Sequence, residues 1–176
     1  MPSRKRIYLL LAGLCFAAYA NSLNGGFVSD DIAAILRNSR IQSLLHLDVQ
    51  DFLNAFIWRI AKFNVIPYHL VSLILHFLNT ILVLLFLRLF FKEEPSFLSA
   101  ALFAVHPVHT EAVTWISGRP YLILTFFILS VYLLYYKAAN SEEFNPSTQA
   151  TAFSRGPLLR IPPRGRKREA PWALPV

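Results

Sequence analysis

Residues 68–91 read YHLVSLILHFLNTILVLLFLRLFF. No charged side chain occurs before Arg88. At about 1.5 Å per residue, the uncharged part alone covers about 30 Å, the thickness of a bilayer's hydrocarbon core. A soluble domain breaks its apolar residues into short periodic runs, whereas this run is continuous. Pro67 suits a helix start, and Arg88, Lys92, Glu93 and Glu94 mark the far end. Similar blocks lie on either side. Ile7 to Leu23 reads IYLLLAGLCFAAYANSL, a third block runs from Ser96 to Ile116 behind Pro95, and a fourth from Tyr121 to Tyr136. The fold class is therefore an all-α integral membrane protein with about four transmembrane helices. The bulk numbers agree: 55% of the 176 residues are hydrophobic and the mean hydropathy is +0.46.

The formal charge of +7 is concentrated outside the apolar blocks. Arg4, Lys5 and Arg6 precede the first block, Arg88 and Lys92 follow the second, Lys137 follows the fourth, and Arg164, Arg166, Lys167 and Arg168 cluster near the end. All of these can lie on one side, which the positive-inside rule makes cytoplasmic, with both termini there. Basic and aromatic residues do not interleave on a binding element, so nucleic acid is not an expected partner. The lone Cys15 excludes an internal disulfide and a cysteine-based zinc cluster. The first block also has the parts of a secretory signal peptide, with Ala18-Tyr19-Ala20 as the cleavage site. The apolar run continues through that site, which favours an uncleaved anchor.

Between the first two blocks lies a long outer segment. Gly25-Gly26 marks a turn. Residues 48–62 have the pattern of an amphipathic helix. Asp48, Asp51, Ala55, Arg59 and Lys62 form one stripe, and Val49, Leu53, Phe56, Ile57 and Ile60 form the other face. Asp48 suits the N-cap, with Leu47 and Phe52 as a staple. Such a helix lies in the membrane interface with its aromatic face toward lipid. Ser117-Gly118-Arg119-Pro120 breaks the chain between the last two blocks. Residues 138–176 are rich in Pro, Ser and Arg without helical or strand period, and read as a disordered basic cytoplasmic tail. Residues 1–137 form the helical module.

Three features carry candidate chemistry. Asp30-Asp31 sits just beyond the first span. A carboxylate there suits a general base toward a hydroxyl, or a cation ligand, and equally a helix cap before the apolar IAAILRN. His106-Pro107-Val108-His109-Thr110-Glu111 puts two imidazoles and a carboxylate at the outer end of the third span. Ionisable groups at membrane depth are costly and usually line a site. Contact with a phosphate or substrate suits them, as does a polar helix end with satisfied hydrogen bonds. The order is not the HExxH of zinc proteases, and a divalent metal is not expected. His69, Ser72, His76 and Asn79 share one face of the second span, where such residues commonly join helices by hydrogen bonds.

Three stretches together resemble a family: YANSLNGGFVSDDIAAILRNSRIQSL (19–44), PYHLVSLILHFLNTILVLLFLRL (67–89) and ALFAVHPVHTEAVTWISGRPYLILTFFILSVYLLYY (101–136). They are similar to the C-type membrane glycosyltransferases, most of all the transmembrane and tetratricopeptide-repeat O-mannosyltransferases and their bacterial relatives. The resemblance covers about residues 15 to 137. It implies a luminal or periplasmic site in the endoplasmic reticulum or a bacterial plasma membrane. The donor would be a sugar, mannose for the nearest group, on a polyprenyl or dolichyl phosphate. The acceptor would be a protein hydroxyl, or a lipid or glycan as in the bacterial relatives, with no tightly bound cofactor. An acidic residue of the first outer loop, here Asp30 or Asp31, would be the catalytic or acceptor-orienting group. His106, His109 and Arg119 would stabilise the leaving phosphate, with Glu111 orienting a histidine or the acceptor.

The sequence also departs from the family. A Tyr-Arg-Pro-Leu-like stretch and a further apolar segment before the PYHL helix are replaced by the shorter Ala55–Ile66 run. That bears on part of the donor site. No further membrane helices or tetratricopeptide repeats follow Tyr136, so the expectation is the N-terminal part of such an enzyme. The rival reading is a non-catalytic membrane subunit or assembly protein of a larger complex that keeps the fold's first helices. A transporter is a third, without visible inverted repeats.

Overall fold

The computed structural model describes residues 3–38, 41 and 49–143. Asp48, Leu47 and all of the tail beyond residue 143 lie outside the described residues, as do the cap, staple and disorder expected of them. Among the described residues six α-helices follow one another: α1 (Arg4–Tyr19), α2 (Val49–Ala61), α3 (Ile66–Leu87), α4 (Glu93–Val105), α5 (Thr110–Thr114) and α6 (Arg119–Glu143). A 3₁₀ turn over Ala20–Asn24 extends α1, and a π-turn occupies Ile32–Leu36. Among the described residues, three segments are long and apolar enough to cross a membrane: Arg4–Asn24, Ile66–Leu87 and Ile116–Ser141.

The expected span from Ser96 to Ile116 is not one helix. α4 begins at Glu93, with Pro95 in its first turn, and ends at Val105. Its 13 residues cover about 20 Å, short of the bilayer core. The cause is local. His106 precedes Pro107, and a residue before proline is pushed out of the helical region; its ψ is 128°. The chain continues as a 3₁₀ turn over Pro107–His109, then α5, then a second 3₁₀ turn over Ile116–Gly118. In contrast, α6 exceeds the expected fourth block at both ends: Pro120 is tolerated in a first turn, and the helix runs on through residues 138–143, which the sequence pattern assigned to the disordered tail.

Residues up to Tyr135 form one compact unit. Its centre is the packing of α1, α3 and α4. α1 buries Ile7, Leu11, Cys15 and Tyr19, one residue per turn, and exposes Leu9, Leu10 and Phe16. α4 turns Ser96, Ala100 and Ala104 inward, all fully buried. Small residues four apart let backbones approach closely, which is how membrane helices gain packing without a hydrophobic driving force. Ile7, Leu11, Leu84 and Ala100 close one end. Cys15, Tyr19, Leu73, Ala104, Val113 and Leu122 form the middle. Ile35, Ile41, Ala55, Ile57, Tyr68 and Ile116 form the layer under the outer segment. Arg88 pairs with Glu93 across the turn between α3 and α4. From Tyr136 onward the chain belongs to a second unit, whose described part is the end of α6, where Asn140 Nδ2 donates to the Tyr136 carbonyl at 2.9 Å.

The polar stripe of α3 faces inward: His69 is 2% exposed, and Ser72, His76 and Asn79 are fully buried. Two of its members join helices directly. His76 Nε2 lies 3.0 Å from the Ala104 carbonyl of α4. Asn79 Nδ2 donates to the Leu122 carbonyl of α6 at 2.9 Å.

Candidate functional site

Asp30 and Asp31 are neighbours with opposite surroundings. Ser29 adopts φ 48°, a left-handed conformation uncommon outside glycine, as the chain enters the turn. After it, Asp30 is exposed and Asp31 is fully buried. Asp30 has only a long 3.4 Å contact from the Ser29 hydroxyl. Asp31 accepts from three donors: Ser117 N–H at 2.8 Å, the Ser117 hydroxyl at 2.5 Å and Val28 N–H at 3.2 Å. Although Asp31 occupies the N-cap position of the π-turn, it makes no side-chain cap bond there. Its role is to tie the first outer loop to the Ser117-Gly118 turn, 86 residues away.

That turn delivers Arg119, which is fully buried. Its guanidinium is held from three sides. Nε donates to the Ser72 hydroxyl at 3.2 Å, Nη1 to Asn54 Oδ1 at 2.8 Å, and Nη2 to the Tyr68 carbonyl at 2.9 Å. All three acceptors are neutral, and the Asp31 carboxylate is near enough to act on the charge through space. A buried cation without a directly bonded counter-charge is expensive, so each of these hydrogen bonds matters. Gly118 makes the approach possible: a Cβ there would lie 2.8 Å from the Glu111 carbonyl oxygen. Gly25 has a related part, because a Cβ there would meet Ser22 O at 3.0 Å and His69 Nε2 at 3.2 Å.

The histidines form a different group. Tyr19 Oη donates to the His106 carbonyl at 2.8 Å, and His106 Nδ1 accepts from Val108 N–H at 3.2 Å. The rings of His76 and His109 lie 5.3 Å apart, Phe103 and His109 4.3 Å, and His106 and His109 6.2 Å. His109, outside the three membrane-length segments, is half-buried. Burial first, then the His76 and His106 rings, push its pKa down to about 4, so it is a neutral imidazole at neutral pH. His106 and Glu111 are exposed. Among the described residues, no three His, Cys, Asp or Glu side chains gather as a metal ion would require.

The six residues singled out from the sequence thus divide. Asp31 and Arg119 come together through Ser117. His109 stands beside both His106 and His76, and Asp30 and Glu111 are exposed. Two partners of Arg119 escaped the sequence reading, Asn54 and Ser72. Ser72 was on the inward stripe of α3. Asn54 lies off the apolar face of α2, and its sequence signal is the Gln50–Asn54 spacing of one helical turn.

The chain is 33% identical over 156 residues to the human protein O-mannosyl-transferase TMTC3, an alignment covering 76% of this chain and 17% of that protein. It is 35% identical over 157 residues to the Drosophila melanogaster protein O-mannosyl-transferase Tmtc1, covering 76% and 18%. It is 31% identical over 162 residues to the Caenorhabditis elegans protein O-mannosyl-transferase F38B6.6, covering 75% and 23%. The matched part is therefore less than a quarter of each of these relatives. No family model matches the chain, and no solved structure matches it.

Proposed function

We infer from this chain's homology to part of the TMTC protein O-mannosyltransferases that it is a membrane mannosyltransferase module whose reaction takes place at the outer ends of its helices. The donor is dolichyl-phosphate mannose and the acceptor a protein hydroxyl. The membrane is that of the endoplasmic reticulum, with the loop between α1 and α3 on the luminal side. In this arrangement the chain crosses four times: α4 makes the third crossing, and the bend from Pro107 through α5 lies beyond it at the luminal boundary.

The observation that carries the reading is the Asp31–Ser117 bond pair beside buried Arg119. It draws the acidic pair of the first loop and the cation of the Ser-Gly-Arg-Pro turn into one layer. Asp30, with its oxygens open, is the base. It takes the acceptor's hydroxyl proton as that oxygen bonds to the anomeric carbon. The bond from that carbon to the phosphate oxygen breaks, and the lipid phosphate leaves with the electron pair. Arg119 offsets the charge that develops there. Asp31 positions the turn and takes no proton, since its oxygens are already occupied by three donors.

A second reading has its own observation. All three guanidinium nitrogens of Arg119 are bonded and its surface is closed, as suits a purely structural cation in a non-catalytic subunit. Transfer of labelled mannose from dolichyl phosphate to a peptide mixture, by the full chain in nanodiscs, separates the two. A transferase loses activity in Asp30→Asn while its fold persists. Absence of transfer by the folded wild type selects the subunit.

A further inference from the structure

α2 is a two-sided helix whose outward side is the apolar one. Val49, Phe52, Phe56 and Ile60 are 52%, 52%, 56% and 73% exposed. At 100° per residue they fall within an arc of about 80°. Phe63, in the turn that follows, is 69% exposed and its ring packs on Trp58 at 5.0 Å. The opposite side is docked: Asn54 and Ala55 are fully buried and Ile57 nearly so. The sequence reading put Ile57 on the apolar face and Ala55 on the polar stripe, whereas both lie against the protein.

We propose that the Val49–Ile60 stripe seats α2 in the luminal surface of the bilayer, and that this seat, acting through Asn54, holds Arg119 in its closed cradle. Only the meaning attached to Arg119 rests on the transferase reading; the seat does not.

Three observations select a lipid surface as the occupant. First, α2 is tethered at the membrane boundary. Ile66 begins a membrane-length helix, and residues 62–65 can extend only about 14 Å. Second, the stripe has the composition of an interfacial helix, with aromatic and branched apolar residues on one side and basic residues beside them. Arg59 and Lys62 are exposed and match the phosphates of lipid headgroups. Third, the docked side is modest and partly polar. Gln50 Nε2 donates to the Ile116 carbonyl at 3.2 Å, and Asn54 accepts from Arg119. Such a side gives α2 little reason to stay once its apolar side faces water.

The mechanical consequence follows from the geometry. Asn54 and the exposed Phe56 are on the same rigid helix, so whatever fixes the stripe fixes the amide. With α2 seated, Asn54 Oδ1 closes the third side of the guanidinium. With α2 lifted, Nη1 loses its 2.8 Å bond and the cation becomes reachable from the lumen by an anionic group.

The test uses the full chain in phosphatidylcholine nanodiscs, with Cys15→Ala as background and single spin-labelled cysteines at Phe52, Phe56, Ile60 and Glu111. Collisions with oxygen, which partitions into lipid, and with a water-soluble nickel chelate read the depth of each label. The expected result is oxygen-dominated relaxation at the three α2 positions and nickel-dominated relaxation at Glu111. Nickel access at the α2 positions equal to that at Glu111 overturns the proposal. So does protection from both probes, which is the signature of a protein partner or a second copy on the stripe. The coupling is read by proton exchange at the Arg119 guanidinium. In Phe56→Ser it should speed up about ten-fold or more, because losing a boundary aromatic is worth at least one decade in the seating equilibrium. Phe91→Ser, an exposed aromatic elsewhere, should leave it unchanged. Equal exchange in wild type and Phe56→Ser overturns the coupling. Neither readout needs sugar transfer, so a failed transferase assay leaves the proposal standing on its own measurements.

Discussion

Replacing Asp31 by alanine should destabilise this protein by several kcal/mol, and the cost can be worked from the contacts. The carboxylate holds two donors of Ser117, at 2.8 and 2.5 Å, and Val28 N–H at 3.2 Å. Val28 is exposed, so its N–H can turn to water at little loss. The Ser117 pair cannot do so cheaply. A hydrogen bond to a charged group contributes about 1.5 kcal/mol or more, which gives roughly 3 kcal/mol for the two. Removing a negative charge that acts through space on the buried Arg119 guanidinium adds about 1 kcal/mol. The total is about 4 kcal/mol, against roughly 0.5 kcal/mol or less for Asp30→Ala at its exposed position. The assay is unfolding of the bicelle-reconstituted chain by titration with sodium dodecyl sulfate, followed by helical circular dichroism. Ser117→Ala keeps the backbone donor and loses only the hydroxyl, so it should fall about midway. The double variant should show coupling of about 1.5 kcal/mol. If Asp31→Ala unfolds within about 0.5 kcal/mol of wild type, the carboxylate does not hold the turn, and the division of roles between Asp30 and Asp31 fails.

Other consequences can be checked on the same preparation. Gly118→Ala puts a methyl 2.8 Å from the Glu111 carbonyl oxygen and 3.3 Å from Ala112 Cα. Both are backbone atoms that cannot swing aside, so a loss of about 2 kcal/mol is expected in the same titration, and wild-type stability would contradict the close approach. Arg119→Lys replaces a three-sided fork by a point charge that cannot reach the Ser72, Asn54 and Tyr68 acceptors together. It should cost about 2 kcal/mol despite keeping the charge, and an unchanged midpoint would mean that the fork geometry is irrelevant. His109 should titrate near its lowered pKa of about 4 rather than at the usual 6.5. Because the folded state binds that proton more weakly than the unfolded chain, stability should fall as pH drops from about 6.5 toward 4 and not change above that window. Histidine nuclear magnetic resonance shifts report the midpoint directly, and a value near 6.5 would remove both the burial and the ring-cluster effects.

The candidate site was only partly legible in the sequence. Asp30-Asp31, the His106–Glu111 run and Arg119 announce themselves because ionisable groups are rare beside membrane-length apolar blocks. The choice between two adjacent carboxylates is a different matter. It turns on a left-handed residue at Ser29 and on a partner at Ser117, and no local pattern encodes either. The histidine run illustrates the same limit. The resemblance implies a shared phosphate contact for His106, His109 and Arg119, whereas the ring contacts of His109 are with His106 and with His76 of α3.

Local physics alone determined a good deal of this protein. Uninterrupted apolar length specifies the three membrane-length helical segments, because in lipid the backbone must satisfy its own hydrogen bonds and only a helix of sufficient length does so. The i, i+3, i+7 repeat specifies the inward stripe of α3, and the alternation of residues 48–62 specifies a two-sided helix. Pro107 contains the break of α4, although that break is read correctly only by giving the residue before proline its due. Tertiary structure decided which side of α2 docks, which aspartate is buried, and that Arg119 is enclosed by Asn54, Ser72 and Tyr68. Those partners lie 65, 47 and 51 residues away along the chain. Periodicity states which residues share a face; only the packing of one helix on another states what that face meets.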